Sequence, residues 1–182
     1  MSCDRILPFP RGRTACDGAM TPTSDCFAQF VGQEYKADDT VHGTNKDLTL
    51  VALRVNTAIT VAKKFFMFHT GALDFGAEIS GVNSVAGGPC VALDDAYTVG
   101  DTIAQYDVAW FVVDGPVSVL TELSSVSLTA QGLVTSDATG YVDGAAPAAG
   151  NYCVGRIDQT STTTNAAVVV HVSRGFAGGE GT

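Results

Sequence analysis

The chain has 182 residues, enough for one domain, or one domain with an arm, to bury a core without disulfide or metal staples. Charged residues make up only 16% and the formal net charge is −9, which argues against binding exposed DNA, where Lys and Arg must neutralise phosphates. No apolar run approaches the length of about 18 residues that a membrane span needs, and MSCDRILPFPRGR at the N-terminus lacks the long apolar core of a signal peptide, so the sequence predicts synthesis in the cytoplasm with no export address.

Residues 1–30 read as an extended N-terminal arm. Pro8, Pro10 and Pro22 interrupt regular backbone pairing, and Ile6, Leu7, Phe9, Phe27 and Phe30 are spaced too irregularly for a helix face. Together with Arg5, Arg11 and Arg13 these apolar side chains form a candidate interface that orders against a partner surface, or a coil that wraps its own domain. The charges are divided along the chain. No Lys or Arg occurs from Phe65 to Gly155, a stretch holding ten acidic residues, whereas eight of the ten basic residues precede it. An acidic body behind a mildly basic N-terminal region suits docking on another protein or on copies of itself; the alternative is a merely soluble acidic domain.

The body, residues 31–174, is predicted to be all-β, a small β-barrel or β-sandwich. Residues 31–35 suit a short strand, and 42–46 (HGTNK) a turn. Strands follow at 48–55 and 61–68, the second tolerating a short helix, and 75–85 has room for another. Residues 91–93 suit a short strand, and 94–101 turns. The run 103–113 is apolar on both faces between 108 and 113, so it should be a central strand covered on both sides with Trp110 buried. Asp114-Gly115-Pro116 should end it in a turn. Shorter strands are expected at 117–120, 133–135, 141–142, 152–157 and 166–172, with 125–129 alternating weakly and a polar connection at 158–165. Residues 175–182 (GFAGGEGT) read as a flexible tail.

Motifs that would carry catalysis or a cofactor are missing. The five cysteines contain no C-x-x-C; Cys90 and Cys153 sit among apolar residues and should be buried thiols, while the pairing of Cys3, Cys16 and Cys26 stays open. His42, His69 and His171 are scattered, and His171 fits a strand position. There is no G-x-S-x-G, Walker A or G-x-G-x-x-G. Asp94, Asp95 and Asp101 lack the alternation and closing Glu of a calcium loop. Lys63 and Lys64 beside Phe65, Phe66 and Phe68 suit core packing under solvated lysines better than a single-strand binding patch. No cofactor, metal, nucleic acid or membrane is expected as a partner.

Three segments taken together, PCVALDDAYTVGDTIAQYDVAWFVVDGPV, LTAQGLVTSDATGYVDGAAPAAG and NYCVGRIDQTSTTTNAAVVVHV, carry a resemblance over about residues 88–172. They resemble the capsid decoration (cement) proteins of tailed phages, with a short strand and a Gly-Asp turn before a longer strand, a "GLV-DATG-V" unit at 132–142 and a "VGR" unit at 154–156 before a Val-rich ending. The resemblance implies a non-enzymatic virion protein on the outer surface of an assembled head, clamping neighbouring subunits of the major capsid protein, often as a homotrimer. It implies no catalytic residues. The first 87 residues depart from the pattern, which bears on where such a protein would sit. Another virion component (a tail or minor head protein) shares the composition, and a carbohydrate-binding β module would need exposed aromatic residues.

Overall fold

The computed structural model describes residues 32–38, 47–55, 57–70, 75–79, 88–94, 97–105, 107–123, 126–136, 139–144 and 152–173. The predicted arm and tail lie outside the described residues. Among the described residues the regular structure is all strand: β1 (Glu34–Asp38), β2 (Asp47–Val55), β3 (Ile59–Thr60), β4 (Phe65–Thr70), β5 (Phe75–Ile79), β6 (Pro89–Ala92), β7 (Thr102–Ile103), β8 (Val108–Leu120), β9 (Leu133–Ser136), β10 (Val142–Asp143), β11 (Tyr152–Ile157) and β12 (Ala167–Val172). None of it is a helix long and apolar enough to cross a membrane.

Ten strands form one hydrogen-bonded sheet in the order β1-β2-β5-β4-β6-β8-β12-β11-β9-β10, and β3 pairs with β7 apart from it. The sheet is antiparallel except where β2 meets β5. Because β2 also pairs with β8, the pairings β2–β5, β5–β4, β4–β6, β6–β8 and β8–β2 make a circuit. Of the remaining strands, β12, β11, β9 and β10 extend from the far end of β8, and β1 pairs with β2.

Alternation along β2 and β8 builds the core, since successive side chains of a strand leave by opposite faces. Leu48, Leu50 and Ala52 of β2 join Val108, Trp110 and Val112 of β8 in one apolar cluster, which continues through Val117, Val119, Val168 and Val170. Val51, Leu53 and Val55 join Ala109, Phe111 and Val113 in a second, closed by Ile59, Val61 and Ile103 around the β3–β7 pair. Every residue of β8 from Val108 to Val113 is therefore buried, as expected of a strand covered on both sides.

Several elements differ from the sequence-based expectation. The run 103–113 is broken: β7 ends at Ile103, and a turn closed by Asp107 N–H donating to the Ala104 carbonyl precedes β8. Asp114-Gly115-Pro116 does not end the strand. Here β8 changes partner, pairing with β2 up to Asp114 and with β12 from Gly115 onward. Gly115 adopts φ +109°, a left-handed value that glycine alone takes without strain, and the bend it makes carries one strand from one half of the sheet to the other. The strand at 61–68 starts later, at Phe65. The region with room for a helix contributes β5 instead, because its backbone finds partners on both sides, β4 and β2. β1 begins at Glu34 rather than at residue 31, and β3 was not anticipated. β11 matches the expected range, and β12 begins one residue later.

Candidate functional site

The side chains singled out as an interface, Arg5, Ile6, Leu7, Phe9, Arg11, Arg13, Phe27 and Phe30, all lie outside the described residues. Within the described body there is a cleft of about 320 Å³. It is lined by residues 61–63 and by Val91, Ala92, Leu93 and Asp94 at and just beyond the end of β6. Val117 and Ser118 of β8 and residues 97–99 complete the lining.

Hydrogen bonds to three carboxylates shape this loop. Thr98 donates to Asp101 Oδ2 from its backbone N–H (2.7 Å) and its Oγ1 hydroxyl (2.9 Å), while the Asp101 N–H donates to the Thr98 carbonyl (3.0 Å). These contacts hold the Asp101 carboxyl below the usual carboxylate range, the backbone N–H contributing most. The Tyr97 hydroxyl donates to Asp107 Oδ2 at 3.1 Å. Asp94 Oδ2 accepts from the Trp110 backbone N–H at 3.0 Å, which fixes the cleft to β8. The lining is mainly apolar, with Asp94 as its carboxylate, while Asp101 and Asp107 are bonded to the lining Thr98 and Tyr97. Lys63 is the one cation among the described lining residues, and the lining Val99 is 65% exposed.

A second polar group lies on the outer face of the β8–β12–β11 half. His171 Nε2 is 2.8 Å from Asp158 Oδ2, and Gln131 Nε2 reaches Asp158 Oδ1 at 3.5 Å. His171 is a strand residue of β12, as its pattern predicted, and stands opposite Arg156 in the β11–β12 ladder. Nothing in the sequence signalled the contact with Asp158, since the side chain reaches across the turn that follows β11.

No group of three or more His, Cys, Asp or Glu side chains is placed to hold a metal ion among the described residues. Asp94 and Asp101, weighed as cation ligands, instead accept hydrogen bonds from the protein. Trp110 is fully buried, and the exposed large hydrophobic residues among those described are Val99, Leu123 and Leu133. None of these three is aromatic, and Tyr35, Tyr97 and Tyr141 are half-buried. Lys64 lies over the Phe66 and Tyr141 rings, with Nζ 5.7 and 5.9 Å from their centroids. Phe65 and Phe66 are buried, so this patch packs the core beneath a cation–π contact.

Cys90 and Cys153 are buried free thiols. Burial pushes the Cys90 thiol far up. It also raises Cys153, opposed by a hydrogen bond from the Gly155 backbone and by the charge of Arg156. Since the thiolate is the reactive form, neither should be alkylated by iodoacetamide at pH 8 in the folded protein, and both should be once it is unfolded in guanidinium. Peptide mapping by mass spectrometry reads this directly. Rapid native labelling of Cys90 would contradict its place in the second cluster.

No family model matches this chain, and the comparison with curated proteins finds no match. Among solved structures, the chain is similar to the N-terminal base of the head fibre gp8.5 of bacteriophage phi29, with 10% sequence identity, 70% of this chain and 95% of that chain covered, and a TM-score of 0.40.

Proposed function

We propose that this chain is a structural protein of a tailed-phage virion, acting through protein–protein contacts and not through catalysis. The observation that carries the proposal is where the decoration-family resemblance falls in the fold. The 132–142 and 154–156 units and the Val-rich ending, apart in sequence, supply β9, β11 and β12, which lie side by side. Val134 stands opposite Gly155, and Arg156 opposite His171. The resemblance therefore follows one contiguous piece of sheet, as an inherited unit would. A rigid body with an all-strand framework and few surface charges suits a part that must hold a fixed shape while neighbours pack around it.

The finer reading is a small barrel, built on the β2–β5–β4–β6–β8 circuit, that sits as a homotrimer on the outer surface of the head. There it would bridge neighbouring subunits of the major capsid protein through residues 1–30. Repetition across a lattice would make modest individual contacts sufficient. A tail or minor head component is the second reading, favoured by the departure of the first 87 residues from the decoration pattern.

Gradient-purified particles of the phage that encodes the chain test both. Quantitative mass spectrometry should find it at a constant ratio to the major capsid protein, and heads stripped of it should take the purified chain back to saturation. Absence from particles would overturn the virion reading. Presence in isolated tails but not in heads would overturn the decoration reading and leave the second.

A further inference from the structure

We infer that copies of this chain meet one another through one end of the β8–β12–β11–β9 half, the surface formed by residues 123–133 and 158–167. The inference deepens the reading of the chain as a structural subunit and rests on that reading.

The strand ladders place this surface. Ala167 at the start of β12 stands opposite Leu120 at the end of β8. Ile157 at the end of β11 stands opposite Val170, and Leu133 at the start of β9 opposite Arg156. The 158–165 connection and the 128–132 turn therefore leave the sheet at the same end. Hydrogen bonds fasten them to each other and to β8. Leu128 and Ser161 exchange both backbone bonds, at 2.8 and 3.1 Å. The Ala130 N–H donates to Thr160 Oγ1 at 3.2 Å, and the Asn165 N–H to the Glu122 carbonyl at 3.1 Å. A Ser- and Thr-rich stretch is thus held in one shape before any partner arrives, and contact there costs less ordering entropy.

Charge selects the partner. Of the fourteen exposed residues described on this surface, Asp158 alone is charged, and His171 Nε2 lies 2.8 Å from its carboxylate. Of the eighteen exposed residues described elsewhere, seven are charged. Each chain carries a formal net charge of −9, so two copies repel one another over most approaches. A basic partner would gain from the acidic surfaces and lose by docking on a neutral one. For a second copy, a neutral surface removes the main cost of contact. Two of the three exposed large hydrophobic residues among those described, Leu123 and Leu133, also stand at this end. Depletion of charge around apolar anchors marks the core of an interface. Fourteen residues fall short of the roughly 20–30 that each side of a standard interface contributes, so the contact is small and the association weak.

Sedimentation velocity of the purified full chain, from micromolar to near-millimolar concentration, tests this. The parent should associate as concentration rises. It should do so more strongly at high salt, because screening relieves repulsion between the bodies and the contact holds no ion pair to weaken. Combining Gln159→Glu, Thr162→Glu and Thr164→Glu should raise the dissociation constant at least about a hundredfold, since like charges then face one another. Combining Gln33→Glu, Thr57→Glu and Thr60→Glu adds the same charge at exposed positions away from this end, and at high salt should change it less than about threefold. A near-ultraviolet circular dichroism spectrum like the parent's shows that each variant keeps the fold. If the first variant does not fold, p-benzoyl-phenylalanine in place of the exposed Leu133 replaces it. Irradiating mixed light and 15N-labelled chains should then join light to heavy through peptides of 123–133 or 158–167, and adducts that map elsewhere or stay within one chain would overturn the inference. So would association that weakens as salt rises, two Glu variants that behave alike, or a 159/162/164 variant that associates as the parent does. A parent that stays monomeric throughout would overturn it and leave the surface to a different acidic partner. Absence of the chain from particles would overturn the virion reading and leave each of these results as it stands.

Discussion

Replacing Trp110 by Ala should lower the free energy of unfolding by about 3–5 kcal/mol, through lost burial and the cavity left behind. Trp110 is fully buried near the start of β8, the strand that both apolar clusters share. Its ring packs at 6.2 Å from Tyr35 on β1, an inclined contact between two aromatic faces. The backbone bond from Trp110 N–H to Asp94 does not depend on the side chain, so the loss should come from packing alone. Stability of a domain this size is ordinarily about 5–15 kcal/mol, so the variant should sit near the edge of folding. Denaturant unfolding followed by far-ultraviolet circular dichroism gives the value. A loss below about 1 kcal/mol would mean that the site can collapse around the missing ring, against the close packing seen here. In the parent protein the same residue, the only tryptophan, should resist iodide quenching.

Gly140→Ala should cost roughly 2–5 kcal/mol, from a left-handed backbone that Ala strains to adopt and from crowding at the new methyl. Gly140 has φ +94°, and its carbonyl accepts the Phe65 N–H at 2.7 Å. A Cβ there would land on the Phe65 carbonyl oxygen, part of a backbone that cannot swing aside as a side chain can. Phe65 opens β4 and is itself fully buried, so displacing it disturbs the core as well as the turn. Thermal unfolding by calorimetry would register the change as a lower Tm. An unchanged Tm would show that the turn between β9 and β10 relaxes freely and does not tie the two halves of the sheet together.

Strands with a clear period were legible in the sequence. β2, β11, β12 and the doubly apolar part of β8 announce themselves by alternating or continuous apolar residues, because the side chains that mark a strand are the ones it buries. What could not be read is what depends on partners distant in sequence. β5 has no strong pattern of its own and exists because β2 and β4 flank it. Asp114-Gly115-Pro116 has turn composition, yet β12 supplies pairing for the residues beyond it, and the strand continues. Thr121 gives another case. Its hydroxyl donates to the Thr163 carbonyl and accepts the Ala166 N–H, a link from the polar, largely exposed 158–165 connection back to the end of β8 that composition does not signal. The cleft was illegible for the same reason: its lining comes from four separated segments. The acidic residues near it were visible, but only the folded chain shows that Asp94 lines the cleft while Asp107 and Asp101 hold the lining Tyr97 and Thr98.

The partner change within β8 has a kinetic consequence. One continuous strand must find β2, about sixty residues upstream, and β12, about fifty residues downstream, so its neighbours come from both ends of the described chain. Loop closure over such separations has to precede most of the contacts that repay it, which places the chain among slow folders, on the millisecond-to-second scale. Until those loops close, a 13-residue, Val-rich strand has both its hydrogen-bonding edges unpaired. A chain emerging from the ribosome completes β8 before β12 has been synthesised, so half of its pairing must wait for translation to finish. Crowded nascent chains would then compete with β12 for the same edge, and yield of folded protein should fall with expression rate more steeply than the stability of the finished fold alone would suggest.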